Sequence, residues 1–150
     1  MIALVTHAIT GAPMAIHRTF LDQAGGKAQV EPNKMMLGPT AGGIVQLGRG
    51  EGGLLVGEGI ETTLSGMQAT GRPGWAALST SGMQALALPD HVREVTILAD
   101  GDPPGIKAAH EAAGRWTKCG VRVRIAKAPN GRDFNDLIQG SFSSKGSICP

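Results

Sequence analysis

The sequence predicts an α/β domain in which a parallel four-stranded sheet is flanked by helices and preceded by a small β-rich segment. Two observations support this prediction. From residue 53 onward, short apolar runs alternate with segments of helical pattern, which is typical of βαβ units. Before residue 51, β-branched and apolar stretches are separated by glycine and proline turns. A length of 150 residues suits a single domain with one hydrophobic core.

The first third of the chain predicts an antiparallel hairpin followed by loops. Gly11 and Pro13 mark the turn of the hairpin. Residues 22–43 contain four turn-forming dipeptides with glycine or proline, so we expect loops and one short strand there. The clearer strands are predicted at residues 1–8, 14–21 and 43–47. We expect residues 1–50 to form a small basic subdomain.

From residue 53 the chain predicts four strands that alternate with helices. Gly71 ends the first helix, Pro89 follows the second and Gly120 ends the longest. We expect residues 51–138 to form the core and residues 139–150 a flexible tail. The predicted strands are residues 54–57, 75–78, 94–99 and 121–126. The predicted helices are residues 60–70, 81–88 and 104–119, and residues 131–138 are predicted to start a last turn or helix.

Composition excludes several classes of protein. The formal net charge is only +2, and the chain has three Phe, two Trp and no Tyr, which argues against a domain that reads bases by stacking. Apolar runs are too short to span a membrane. Cys119 and Cys149 lack the spacing of zinc ligands, and the first residues lack the basic region of a secretion signal. We therefore expect a cytoplasmic protein with reduced thiols and no membrane partner.

Acidic residues follow three of the predicted strands. Glu58 comes after the first core strand, Asp100 and Asp102 after the third, and Asp133 and Asp136 after the fourth. The carboxyl ends of parallel strands meet at one sheet edge, so these acids are expected to converge. Carboxylate oxygens suit Mg²⁺ or Mn²⁺. Each acid alone also fits a helix cap or a solvated loop, and the DFND segment is a good helix start.

Three motifs that contain these acids occur in order: VGEGIETTLS, LADGDPPG and GRDFNDLI. Together they resemble the Toprim domain of bacterial-type primases, type IA and type II topoisomerases and several nucleases. With the preceding stretch HRTFLDQAGGKAQVEPNKMMLGPTAGG, the chain is similar to the Toprim module of phage and plasmid primase or primase-helicase proteins. The resemblance covers residues 1–138. It implies a Toprim-like, Rossmann-like sheet.

The resemblance also implies roles for the acids. Glu58 matches the glutamate of the family that acts as general acid/base or binds metal. Asp100 and Asp102 match its metal-binding pair, and Asp133 and Asp136 match an acidic segment that contributes to the metal site of primase-type members. The implied cofactor is Mg²⁺ or Mn²⁺.

One position departs from the pattern of the primases. These proteins commonly have an aspartate four residues after the motif glutamate, where this chain has Thr62. Glu61 could replace that aspartate in charge but not clearly in direction. We interpret Glu61 as an acid in the first turn of a helix.

Basic residues suggest contacts with phosphate groups. Arg18, Lys27 and Lys34 are candidates to hold a polynucleotide backbone or an incoming triphosphate, and the resemblance implies a basic subdomain at this place. Solvated loop lysines are the alternative for this set. Residues 121–126 also carry basic residues at alternate positions.

The leading hypothesis is the Toprim domain of a DNA primase-type nucleotidyltransferase that acts in replication of a phage or plasmid, with DNA or RNA and nucleoside triphosphates as partners. A metal-dependent Toprim nuclease and a non-catalytic fragment are the alternatives. A topoisomerase is disfavoured, because this chain has no Tyr to act as its catalytic tyrosine. The sequence has no zinc-binding motif and no P-loop, so we expect helicase and zinc-binding domains on the same or another chain, and little activity from this chain alone.

Overall fold

The computed structural model describes residues 1–49, 53–129 and 131–143, and for residues 139–143 only the backbone. Eight strands form one sheet with the order β3-β2-β1-β4-β6-β5-β7-β8. The strands are β1 (Ile2–His7), β2 (Pro13–Thr19), β3 (Lys34–Leu37), β4 (Gly43–Gln46), β5 (Gly53–Gly57), β6 (Gly74–Ala76), β7 (Glu94–Ala99) and β8 (Arg122–Lys127). The helices are α1 (Ile60–Thr70), α2 (Thr80–Ala85), α3 (Pro103–Lys118) and α4 (Phe134–Ser143).

The predicted α/β fold is confirmed, and the four strands of the core are parallel to one another. The sheet is larger than predicted because β4 pairs antiparallel with β6 and connects the first three strands to the same sheet. Val45 lies opposite Ala76 in this pairing, and both residues are buried. The strand edge of β6 is thus covered by the first third of the chain. The division into two domains near residue 51 stays a prediction.

Apolar side chains fill both faces of the sheet. Leu54, Leu55 and Val56 in the central strand β5 are all buried, as expected for a parallel strand covered on both sides. One face packs against α2 and α3, where the indole Nε1 of Trp116 donates a hydrogen bond to the carbonyl of Leu86 at 2.9 Å. The other face packs beneath α1. The parallel part of the sheet therefore lies between two helical layers.

Some elements differ from their predicted bounds. Strand β6 ends before Leu78, because this residue has a φ of 71° and leaves the extended conformation. Ser79 then caps α2, accepting a hydrogen bond from the Gly82 amide at 2.9 Å. Helix α4 continues to Ser143, five residues beyond its predicted end and into the segment predicted as a tail. Residues 144–150 lie outside the described residues.

None of the helices that the structure describes is both long and apolar enough to cross a membrane. Cys119 is exposed and forms no disulfide within the described part of the chain, and Cys149 lies outside that part.

Candidate metal-binding edge

The carboxyl edge of the parallel sheet brings the first two acidic segments together. Glu58 follows β5 and Asp100 follows β7, and the register aligns the two strand ends because Gly57 pairs with Leu98. Burial raises the pKa of Glu58, and the negative charges of Asp100 and Asp102 raise it further. These carboxylates are therefore close enough to repel one another.

The third acidic segment reaches the same edge through a loop contact. The amide of Gly101 donates to the carbonyl of Arg132 at 2.9 Å, and the amide of Gly131 donates to the carbonyl of Gly101 at 3.2 Å. A Cβ at position 101 would collide with the carbonyl oxygen of Pro129, so only glycine permits this approach. The contact places Asp133 near the end of β7.

Asp100 is the centre of the acidic group. Burial raises its pKa, and the charges of Asp133, Asp102 and Asp136 raise it further. A hydrogen bond from the Thr62 hydroxyl, 3.2 Å from Oδ1 of Asp100, lowers it in part. The structure thus brings the acids of all three motifs into electrostatic contact. We call these five residues, Glu58, Asp100, Asp102, Asp133 and Asp136, the acidic edge.

Three members of the acidic edge also cap helices. Oδ1 of Asp102 accepts a hydrogen bond from the Gly105 amide at 2.8 Å at the start of α3. Oδ1 of Asp133 accepts from the Asp136 amide at 2.8 Å, and Oδ2 of Asp136 accepts from the Asp133 amide at 3.1 Å. The DFND segment therefore starts α4, and the charges of its two aspartates act on Asp100, while their role at a metal site stays a prediction.

The donor set of the acidic edge suits a hard divalent cation, because every donor is a carboxylate oxygen and the group is short of positive charge. Among residues 1–49, 53–129 and 131–143, no three acidic, histidine or cysteine side chains already converge on one point. Binding of an ion would therefore require these side chains to rotate toward it. Burial and the neighbouring carboxylates raise the pKa values of Glu58 and Asp100, which is the effect expected where like charges are grouped in a partly buried place.

Two of the three predicted basic residues lie beside this edge. Nζ of Lys34 lies 3.0 and 3.1 Å from the two carboxylate oxygens of Glu61, and Nζ of Lys27 lies 3.5 Å from Oε1. Burial opposes the charge of Glu61, but a backbone hydrogen bond and the two lysines lower its pKa overall. The positive charge of Lys34 also offsets a part of the rise in the pKa of Glu58. Glu61 is thus the partner of the lysines as well as a first-turn acid of α1.

Arg18 is not brought to the acidic edge. It follows the buried His17 in β2, so its side chain projects from the opposite face of the sheet. One of its guanidinium nitrogens, Nη2, lies 3.8 Å from the sulfur of Met35 on the neighbouring strand.

Sequence reasoning missed two groups at this edge. Thr62, noted only as a departure from the primase pattern, donates its hydroxyl to Asp100. Thr62 lies in the first turn of α1, four residues after Glu58, and this position is a signal that could have indicated the contact. The backbone amide of Thr80 donates a hydrogen bond to the Glu58 carboxylate. This bond offsets a part of the rise in the pKa of Glu58. A backbone donor at the start of α2 leaves no signal in the side-chain pattern.

Comparison with known proteins agrees with these features. A family model described as Toprim domain matches residues 53–143. A second model, described as Domain of unknown function (DUF7146), matches residues 1–47. A DNA primase of Geobacillus stearothermophilus is 44% identical over 45 residues, which are 30% of this chain and 8% of the primase. The chain therefore spans a small part of that relative.

Solved structures of primases share the fold. The primase fragment of the bacteriophage T7 primase-helicase protein aligns with a TM-score of 0.61 and 20% identity over 92% of this chain and 62% of that fragment. A DNA primase domain from Pseudomonas aeruginosa gives a TM-score of 0.56 and 21% identity over 95% of this chain and 55% of that domain.

The zinc-binding and RNA polymerase domains of the Aquifex aeolicus primase give a TM-score of 0.60 and 19% identity, over 95% of this chain and 37% of that structure. At these identities the likeness concerns the fold. The family match covers more than half of the chain and contains all five acids of the acidic edge. The chain belongs to the Toprim domain family.

Proposed function

We propose that this chain is the Toprim domain of a DNA primase-type protein and supports nucleotidyl transfer on nucleic acid with Mg²⁺ or Mn²⁺. The observation that carries the proposal is the convergence of three acidic segments on the carboxyl edge of the sheet. The replication of a phage or plasmid is the setting that the motif resemblance suggests. The chain spans only part of its primase relatives, so the activity of a whole primase is part of the proposal.

In this proposal Asp100 and Asp102 hold the cation, together with Glu58 and, from the neighbouring loop, Asp133 and Asp136. A divalent cation at this place would lower the pKa of an attacking hydroxyl and neutralise phosphate charge. Asp100 is oriented by the hydroxyl of Thr62. The hydrogen bond from Thr80 similarly holds the carboxylate of Glu58 at the edge.

Glu58 is suited to accept a proton. Its raised pKa moves this carboxylate toward the range in which a side chain both takes up and releases a proton near neutral pH. The proton of a nucleotide 3′-hydroxyl is the one that must leave when that oxygen attacks a phosphorus atom. We therefore assign Glu58 as the general base or as a shared ligand.

We assign Lys27 and Lys34 to the triphosphate of an incoming nucleotide. Both ammonium groups lie on the Glu61 carboxylate next to the acidic edge, so a phosphate group arriving there meets positive charge. Side chains of the two lysines are 49% and 36% exposed, which leaves them open to solvent and ligand.

Metal binding is tested by thermal unfolding of the full chain with and without Mg²⁺ or Mn²⁺. At a hundredfold excess over the dissociation constant, mass action adds about 2.7 kcal/mol, or roughly 5–10 °C in Tm for a domain of this size. The double substitution Asp100→Asn with Asp102→Asn is expected to abolish the shift. The control Asp90→Asn changes an exposed acid next to His91, away from the edge, and is expected to retain it.

Activity is tested on a preformed primer-template with a recessed 3′ end, because that substrate removes the need for a separate template-selecting domain. Extension with ribonucleotides that the double variant lacks supports the proposal. Cleavage of the labelled strands without extension would establish a nuclease instead. Neither activity, with a normal metal-dependent Tm shift, would identify a module that acts only with zinc-binding and helicase domains elsewhere.

A further inference from the structure

A second charged cluster lies at the amino edge of the sheet, opposite the acidic edge. Glu94 at the start of β7 contacts three arginines. Its Oε1 lies 2.8 Å from Nη1 of Arg124 and 3.4 Å from Nη1 of Arg72, and its Oε2 lies 3.4 Å from Nη1 of Arg122. We call these four residues the arginine cluster. Three positive charges against one negative charge leave it strongly basic.

Most hydrogen-bonding capacity of the arginine cluster faces outward. Each guanidinium has five N–H donors, and Nη1 of each contacts Glu94. The arginine side chains are 42%, 71% and 58% exposed for Arg72, Arg122 and Arg124, whereas the carboxylate side chain of Glu94 is 20% exposed. The carboxylate of Glu94 is therefore the less exposed partner, and the guanidinium groups that it contacts stay accessible to solvent.

Two of the three arginines are aligned along strand β8. Arg122 and Arg124 are two residues apart in β8, so they project from the same face, roughly 7 Å from one another along the strand. Strand β8 forms one edge of the described sheet. It ends at the exposed Lys127, which pairs with Ala99 directly before Asp100. Lys127 lies three residues after Arg124 and so projects from the other face, which leaves Arg122 and Arg124 as the positive charges aligned along β8.

We propose that the arginine cluster binds the sugar-phosphate backbone of a nucleic-acid strand that lies along β8. Planar guanidinium groups bind phosphate oxygens in pairs, and charges spaced along a strand suit a polyanion better than a single small anion. Backbone contacts carry no base specificity. The inference adds a binding surface on the Toprim core to the proposed function, and its binding step needs no metal.

The test measures binding of the full chain to a fluorescein-labelled single-stranded DNA of mixed sequence, by anisotropy in EDTA and at several salt concentrations. The variant Arg122→Gln with Arg124→Gln is expected to bind roughly tenfold more weakly at 50 mM salt. Its slope of log affinity against log salt is expected to fall by about 1.4, for two lost phosphate contacts on a single strand.

Lys107→Gln is the matched control, since Lys107 is 74% exposed and pairs with Glu111 on α3, away from the cluster. It is expected to retain the affinity and slope of the original chain. An equal loss in this control would show that only net charge matters, and unchanged binding in the double variant would overturn the proposal. So would a failure of the original chain to bind DNA.

Two further variants separate this proposal from folding defects and from the metal chemistry. The single substitution Arg122→Gln leaves two arginines on Glu94, and it is expected to lower the slope by about 0.7 if the double variant is unstable. The Asp100→Asn and Asp102→Asn variant, which is expected to lose primer extension, should bind this DNA in EDTA at least as tightly as the original chain. Weaker binding would contradict a separate backbone surface.

Discussion

The two edges of the parallel sheet handle charge in opposite ways. At the amino edge, Glu94 lies among three arginines, and its charge is more than compensated. At the carboxyl edge, Glu58 and Asp100 lie among other carboxylates, and burial together with these neighbours raises their pKa values. The same sheet therefore carries one edge that is satisfied by its own residues and one that is not.

This difference bears on the partners that we propose for the two edges. Uncompensated like charges destabilise a fold unless a cation, a proton or a ligand neutralises them. The carboxylates of the acidic edge repel one another in this way. Hydrogen bonds from the Thr62 hydroxyl and the Gly105 amide hold Asp100 and Asp102 in place. The amino edge instead offers surplus donors outward. The two edges thus suit a cation and a polyanion, respectively.

The largest expected effect comes from breaking the loop contact that assembles the acidic edge. Gly101→Ala places a Cβ against the carbonyl oxygens of Pro129 and Arg132, which are backbone atoms and cannot move aside cheaply. We expect a loss of about 3 kcal/mol in the free energy of unfolding, together with loss of the metal-dependent Tm shift. Urea denaturation measures the first and thermal unfolding the second.

Gly114→Ala is the control for that substitution. Gly114 lies in α3 with open space around its Cβ position, so alanine is expected to stabilise the helix by about 0.5–1 kcal/mol. If Gly101→Ala proved as harmless as Gly114→Ala, the loop contact would not be what holds Asp133 near Asp100.

The next effect concerns the lysines that face the acidic edge. Lys34→Gln removes the group that contacts both oxygens of Glu61 and acts on Glu58. We expect the dissociation constant for a nucleoside triphosphate with Mg²⁺ to rise roughly tenfold, since a charge-assisted hydrogen bond contributes about 1.5–3 kcal/mol. Isothermal titration calorimetry measures it. Equal affinities for Lys34→Gln and the control Lys107→Gln would remove Lys34 from the nucleotide site.

Neutralising one acid at each edge is expected to change stability with opposite signs. Asp100→Asn relieves repulsion, so its Tm should rise by about 2–4 °C at pH 7.5 in EDTA. Glu94→Gln leaves three arginines without their anion, so its Tm should fall by a similar amount. Differential scanning calorimetry gives both values. Shifts of the same sign would refute the contrast between the two edges.

The smallest effect is a pH dependence beside the lysines. His17 is 5% exposed, and burial together with the charge of Lys34 lowers its pKa, while Glu61 raises it in part. Because the folded protein disfavours the protonated ring, His17 costs no stability above its unfolded pKa of about 6.5 and destabilises the fold as the pH falls below it.

The variant His17→Gln tests this dependence. We expect its Tm to fall less than that of the original chain between pH 7 and pH 5. Glu58 and Asp100 have raised pKa values, so their protonation at low pH increases the stability of the folded state. This effect is present in both proteins. The difference between their curves of Tm against pH therefore isolates His17. Parallel curves would show that His17 is not the group responsible.

Much of the core was predictable because its signals are local. The apolar run of β7 followed by Asp100, and the prolines and Gly120 that bound α3, depend on residues adjacent in sequence. Strand β6 was predicted two residues too long, since nothing local shows that Leu78 adopts a positive φ. The pairing of β4 with β6 was also missed, because strand partners distant in sequence depend on the global topology.

The candidate site was likewise predictable only in part. Five acids could be assigned to one edge because a parallel sheet brings its strand ends together, whatever the loops between them. The pairing of Glu61 with Lys27 and Lys34 was not predicted, because it joins a loop and β3 to α1 across the first third of the chain. Arg18 was grouped with these lysines from composition, and strand alternation separates it from them.

The amino-acid pattern determined the α/β class, the order of the core elements and the acids at the carboxyl edge, because periodicity and capping act over a few residues. Tertiary structure decided which charges meet. It placed Thr62 on Asp100 and joined the first third of the chain to the core sheet. It also gathered Arg72, Arg122 and Arg124 around Glu94. Electrostatic interactions depend on distance in space, and the packing of strands and helices sets that distance.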